Sequence, residues 1–206
     1  MGRPRRSKQT SRFKLVLVKP DDYGYDGPAP AWNDVLVHHN GLHRLCALLG
    51  HAPPGRQTIA LCGDGGFTML QLGDLPTLVQ RKSRVVHIIL NNESLGFVKI
   101  EQQEAGIVPY GVDFKNPNFA RVAEAMGAKG IRLEAPGDVR EALTEALAHK
   151  DGPVVVDAVV DPYALSLPSH VPFHTAKGYT LSLAKQAAAG RFDDVIKTME
   201  RNVRLV

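Results

Sequence analysis

Two short apolar runs, Thr58-Ile59-Ala60-Leu61-Cys62 and Val85 to Leu90, each end in a polar turn. The first stops at Gly63-Asp64-Gly65-Gly66 and the second at Asn91-Asn92. Such runs predict buried strands of a parallel sheet. In open α/β sheets, ligands bind at the carboxyl ends of the strands. If the two runs are neighbours, a carboxylate and a carboxamide come together there beside a glycine-rich turn. An oxygen-only pair of this kind suits Mg²⁺ carrying a diphosphate. Zinc would ask for Cys and His.

The pattern around the two runs extends the sheet. From Gln57 onward it predicts strand 57–62, helix 68–81, strand 84–90, a helix starting near Ser94, helix 117–126, strand 128–133, helix 138–149 and strand 153–160. Strands alternating with helices imply an α/β fold, a parallel sheet flanked by helices. Asn116 before Pro117 reads as a helix cap, and Gly127 as that helix's stop. Asp138 with Glu141 reads as a capping-box start. Residues 1–55 have a different texture, with scattered Pro, Gly, His and Arg, and only Lys14 to Val18 reads as a short strand. The expected organisation is an irregular, disordered or frameshifted segment over 1–55, a cofactor-binding domain over 56–165 and a helical tail over 166–206.

A chain of 206 residues, 44% hydrophobic, supports one domain with appendages. Cys46 and Cys62 cannot make a disulfide framework, and neither a signal peptide nor an 18-residue apolar span is visible, so the chain reads as cytoplasmic. The formal charge of +4 is a tail property: residues 1–14 hold +6, leaving −2 for the rest, with no aromatic interleaving to suggest nucleic acid. A Rossmann site is disfavoured because the third glycine of its fingerprint is absent, and a Walker loop lacks its Lys. His38, His39 and His43 have no Glu beside the first, so they make no zincin motif.

Gly63-Asp64-Gly65, followed after 25 residues by Asn91-Asn92, resembles the signature of thiamine-diphosphate enzymes on the domain that holds the cofactor's diphosphate. Asn91-Asn92-Glu93-Ser94-Leu95-Gly96-Phe97-Val98, and Ala176-Lys177-Gly178-Tyr179-Thr180-Leu181 with Gly190-Arg191, look like the C-terminal third of the pyruvate oxidase group, the pyruvate:quinone oxidoreductases. The resemblance covers about residues 56–204. It implies thiamine diphosphate and Mg²⁺, with the metal held by the side chains of Asp64 and Asn92 and the backbone carbonyl of Ser94. Gly63, Gly65, Gly66, Leu95 and Gly96 would complete the cofactor cradle. Glu101 would lie near the reacting carbonyl, with Phe97 as an apolar wall. The expected substrate is a 2-keto acid, pyruvate first, with an acetolactate synthase-like carboligase as the alternative branch.

The family's catalytic glutamate and its FAD belong to other domains of the complete enzyme, so this chain is expected to be inactive alone. One origin is a frameshifted remnant whose family frame resumes near residue 47. The other is a subunit that supplies only the diphosphate site to a partner chain, or serves as a non-catalytic assembly module. Leu49-Gly50 lies two residues closer to Pro54 than the family signature expects. Leu70-Gln71-Leu72-Gly73-Asp74 holds one residue more than its relatives, which would turn the rest of a helix by about 100° unless a bulge absorbs it. Because the family builds active sites between subunits, a dimer is expected. Phe192, Val195, Ile196, Met199 and Val203 form an apolar stripe with Lys197, Arg201 and Arg204 beside it, a pattern suited to a membrane surface at the inner face of the cell membrane or to packing on the chain's own domain.

Overall fold

The computed structural model describes residues 14–15, 35–38, 58–164 and 173–202. Among the described residues six strands form one sheet: β1 (Lys14–Leu15), β2 (Val35–His38), β3 (Thr58–Gly63), β4 (Val85–Asn91), β5 (Lys129–Leu133) and β6 (Val154–Val159). Their order is β1-β2-β3-β4-β6-β5, and every pairing is parallel. The two apolar runs are direct neighbours, with Cys62 opposite Ile89 and Gly63 opposite Leu90. β2 lies inside the stretch expected to be irregular, whereas β1 falls within the expected Lys14–Val18 strand. The remaining sequence readings on residues 1–57, including Cys46, His39, His43 and Leu49-Gly50, lie outside the described residues, as do Val203 and Arg204.

Between β3 and β4 the chain is helical over residues 64–80 (α1). It runs through α-helical Asp64–Gly66, a π turn Phe67–Gln71, a 3-10 turn Leu72–Asp74 and α-helical Leu75–Gln80. A π turn takes in one residue more than an α turn. It overlaps the start of the Leu70–Asp74 stretch in which the resemblance implies one residue more. Phe67 at its start and Leu75 after it both reach the same buried cluster, so the helix keeps its phase against the sheet.

After β4 come α2 (Gly96–Glu104) and α3 (Phe119–Ala125), and between β5 and β6 lies α4 (Val139–Ala148). Cys62, Ile89 and Val155 pack with Phe67, Leu75, Phe119 and Ala123 under α1 and α3. Val86, Val154 and Val156 pack with Ala142 and Ala146 under α4 on the other face. Gly127 ends α3 at φ 86°, a conformation glycine adopts without a Cβ penalty.

Two expected caps differ. The N-cap of α3 is Asn118, whose side chain accepts from Arg121 N at 3.0 Å, and Asn116 is left for another task. Asn118 has the extended backbone of a cap, at φ −71°, ψ 103°, while the Asn116 carboxamide is taken up by Asp64 and Asn91. Asp138 closes a 3-10 turn (Pro136–Asp138) and makes no side-chain cap bond, because its backbone is already helical at φ −89°, ψ −5°.

The tail forms α5 (Phe173–Ala188) and α6 (Phe192–Asn202). α5 docks on the end of α2, with Ser182 Oγ donating to Ile107 O at 2.6 Å and Lys185 Nζ to Gly106 O at 2.8 Å. α6 packs through its polar side. Tyr163 Oη donates to Asp194 Oδ1 at 2.9 Å, Asn202 Nδ2 donates to Tyr163 O at 2.8 Å, and Arg201 Nε meets Asp161 Oδ2 at 2.7 Å. Phe192, Ile196 and Met199 consequently face outward, each more than half exposed. Among the described residues, no helix is long and apolar enough to cross a membrane.

Candidate functional site

The strand order sets where a site can form. The chain steps from β1 to β4, then crosses out to β5 and returns as β6 between them, with α3 and α4 on opposite faces. Where such a reversal occurs, the loops at the strand ends part and leave a crevice. A cleft of about 440 Å³ lies at this edge, lined by Gly63 to Gly66, by Asn92 and Ser94 to Ile100, and by Val160 to Pro162 with Ala164.

Asp64 is the centre of that edge, only 2% exposed. Its Oδ2 accepts from Glu93 N at 2.7 Å, Asn116 Nδ2 at 2.8 Å and Asn92 N at 3.1 Å, while its Oδ1 accepts from Gly65 N at 2.8 Å. Burial pushes the Asp64 carboxyl above its ordinary range, and the donors from Gly65, Glu93, Asn116 and Asn92 pull against that rise. Two successive N–H groups, those of Asn92 and Glu93, aim at one oxygen, and Glu93 itself adopts φ 54°. This is a backbone nest for an anion, filled by the protein's own carboxylate. A left-handed turn at a residue with a Cβ costs about 1–2 kcal/mol, and it is held by Leu95 N to Val112 O at 2.8 Å and Phe114 N to Glu93 O at 3.0 Å.

Asn92 turns its Oδ1 to Ser94 N at 3.1 Å, and Ser94 Oγ donates to Asp113 Oδ1, where Lys99 Nζ also binds at 3.0 Å. A Cβ on Gly65 would press on Leu95 Cδ2 at 2.5 Å, so the two loop tips approach each other across a glycine.

The chain's residues 42–158 match the model of the thiamine pyrophosphate enzyme C-terminal TPP-binding domain. The chain belongs to that family. This TPP-binding domain is 42% identical over 132 residues to YdaP of Bacillus subtilis (strain 168), named as a thiamine pyrophosphate-containing protein, covering 64% of the chain and 22% of the relative. It is 33% identical to the acetolactate synthase of the same organism, over 61% of the chain and 23% of the relative. It is also 33% identical to the pyruvate oxidase of Lactiplantibacillus plantarum, over 54% of the chain and 18% of the relative. The chain thus spans about a fifth of the length of these relatives. The match begins at residue 42, upstream of the 56 at which the sequence resemblance was placed.

The donor set of the TPP-binding domain fits a hard cation and its diphosphate: a buried carboxylate, a neighbouring carboxamide and the first turn of a helix, all at one cleft. Among the described residues, no group of three or more His, Cys, Asp or Glu is arranged to hold a metal. The oxygen donors at the cleft, the Asp64 carboxylate and the Asn92 carboxamide, are of the type Mg²⁺ favours.

Of the residues singled out from sequence, Gly63, Asp64, Gly65, Gly66, Asn92, Ser94, Leu95, Gly96 and Phe97 all line the cleft. Glu101 does not. It is exposed on α2, and Phe97 is 52% exposed at the cleft wall. Sequence reasoning missed the support beneath the site. Asn116 Nδ2 donates to Asn91 Oδ1 as well as to Asp64, Asn91 Nδ2 donates to Asp157 Oδ1 at 2.9 Å, and Asp157 Oδ2 accepts from Phe119 N and from Arg132 Nη1. The signal was present in Asp157, a lone acid in the otherwise apolar strand Val154–Val159, since a buried carboxylate needs partners.

Proposed function

We propose that this TPP-binding domain supplies the thiamine-diphosphate and Mg²⁺ site of a 2-keto acid decarboxylating enzyme of the pyruvate oxidase or pyruvate:quinone oxidoreductase group. The observation that carries the reading is the meeting of Asp64 with the Asn92-Glu93 backbone in one hydrogen-bonded turn at the cleft. In this reading Asp64 and Asn92 hold Mg²⁺ by side-chain oxygens and Ser94 by its backbone carbonyl. Gly63, Gly65, Gly66, Leu95 and Gly96 flank the diphosphate, helped by the positive N-terminal end of α1.

Bound there, thiamine diphosphate supplies an electron sink for the carbanion left when a 2-keto acid loses CO₂. Phe97 and Val98 give the cleft an apolar wall beside the reacting end. Glu101 stands exposed on α2, outside the cleft lining. FAD belongs to the complete enzyme, and the group that protonates the aminopyrimidine comes from a pyrimidine-binding domain in the same assembly.

The family tail motif and the pyruvate oxidase relative support the oxidase branch, while the acetolactate synthase relative, at the same identity, supports a carboligase. In the full assembly with pyruvate, quinone reduction with acetate formation marks the first, and acetolactate marks the second. The outward stripe of Phe192, Ile196 and Met199 supports a peripheral membrane contact. Cutting the chain after Gly190 should then abolish co-sedimentation with liposomes. The site itself is tested by calorimetric titration of thiamine diphosphate with Mg²⁺ into the wild-type chain and into Asp64→Ala. Heat from the wild type alone is expected, and equal heats from both proteins overturn the assignment.

A further inference from the structure

We infer that Asn116 is a positioning residue that fixes which oxygen of Asp64 is offered to a bound cation. The inference rests on the reading of Asp64 as a metal ligand. The two carboxylate oxygens are unequal: Oδ2 takes three donors and Oδ1 takes one. A carboxylate oxygen has about two in-plane lone-pair sites. Oδ2 is therefore filled and Oδ1 keeps room for a ligand.

Two of the three donors to Oδ2 are successive backbone groups, Asn92 N and Glu93 N, in the loop that follows β4. The third is the Asn116 carboxamide, 52 residues away in sequence, which closes the carboxylate's remaining freedom to rotate. Asn116 Nδ2 has two hydrogens, one for Asp64 Oδ2 and one for Asn91 Oδ1 at 2.9 Å. Asn91 is in turn tied to Asp157, 0% exposed and held by Arg132. The run Asp64, Asn116, Asn91, Asp157 and Arg132 thus braces the carboxylate against the far side of the sheet. Asn91 and Asn92 divide their work: Asn91 faces inward as a strut, and Asn92 faces the cleft.

Such outer partners typically change metal affinity 10- to 100-fold. The test compares Asn116→Ala with Asn116→Asp. The second is isosteric but turns two donors into acceptors facing Asp64 Oδ2 and Asn91 Oδ1. Affinities for Mn²⁺ in the presence of thiamine diphosphate, read by electron paramagnetic resonance, should fall about 10- to 100-fold in Asn116→Ala and further in Asn116→Asp. A space-filling role would reverse that order, so an isosteric variant that binds better than the truncated one overturns the inference.

A second measurement works without ligand and survives a failure of Asn116→Asp to fold. In the wild-type chain the Asn116 side-chain amide protons should be protected from exchange, and Asp64→Ala should expose the proton that faces Asp64 while the one bound to Asn91 stays protected. Unprotected protons in the wild type overturn the inference. Protected protons in a chain that binds no Mn²⁺ would count against the metal reading and leave the hydrogen bond standing.

Discussion

His87 makes the stability of this domain acid-sensitive in a way that can be calculated. It sits in the middle of β4, 2% exposed, with its ring edge toward Phe67 at 6.1 Å between centroids. Neither ring nitrogen has a hydrogen-bond partner among the described residues. Burial alone lowers its pKa from 6.5 to about 4. Because the native pKa is the lower one, folded and unfolded chains both hold a neutral ring above pH 6.5, and His87 then favours neither state. As pH falls from 6.5 toward 4, the unfolded chain takes up the proton first and stability drains away. Below about 4 both states are protonated and the loss levels off. Over that window the drop is worth about 3 kcal/mol. The check is urea unfolding at half-unit steps from pH 7.5 to 4 for the wild type and for His87→Leu, which keeps bulk without a titrating group. The wild-type stability should fall more steeply, with the curves separating by about 3 kcal/mol by pH 4. Parallel curves would show that His87 is solvated or paired in the native state, and the burial argument would fail.

Other expectations follow from the same packing. Phe67→Ala removes a ring that meets Phe119 at 5.5 Å and His87 as well, so thermal unfolding should report a loss of about 3–5 kcal/mol. Asp157→Ala leaves Arg132, Asn91 Nδ2 and Phe119 N without their shared acceptor, and chemical denaturation should register a loss of about 3–5 kcal/mol. Asn118→Ala should cost about 1 kcal/mol by unbonding Arg121 N. The matching change at Asn116, outside the helix cap, should leave the fraying of α3 unaltered when amide exchange is followed residue by residue.

What the sequence made legible was whatever depends on local periodicity. Apolar runs with turn residues behind them placed β3, β4 and β6 and the cleft-lining glycines, and the position of Gly127 marked the end of α3 because a positive φ selects glycine. What it hid was contact at a distance. Asn116 and Asn118 flank one proline, and the sequence pointed to the first as the cap of α3, where the structure uses the second. Only the fold, which brings Asp64 and Asn91 beside the first of them, separates their roles. Glu93 carries no hint of its left-handed backbone, because that conformation is imposed by the strand-like pairing of residues 93–95 with 112–114. The stripe on α6 was visible from its spacing. Which side of the helix would be covered depended on Tyr163 and Asp161 presenting polar groups to it.

The π turn in α1 works as a slack link in an otherwise stiff rod. Upstream of it, the helix start answers to the cofactor edge, and downstream, Leu75 and Leu78 answer to the sheet. Each end can therefore hold its own alignment while the number of residues between them changes by one. A gain or loss of a single codon at this point becomes an adjustment of local winding, and the ligand-facing loop and the interior remain in step.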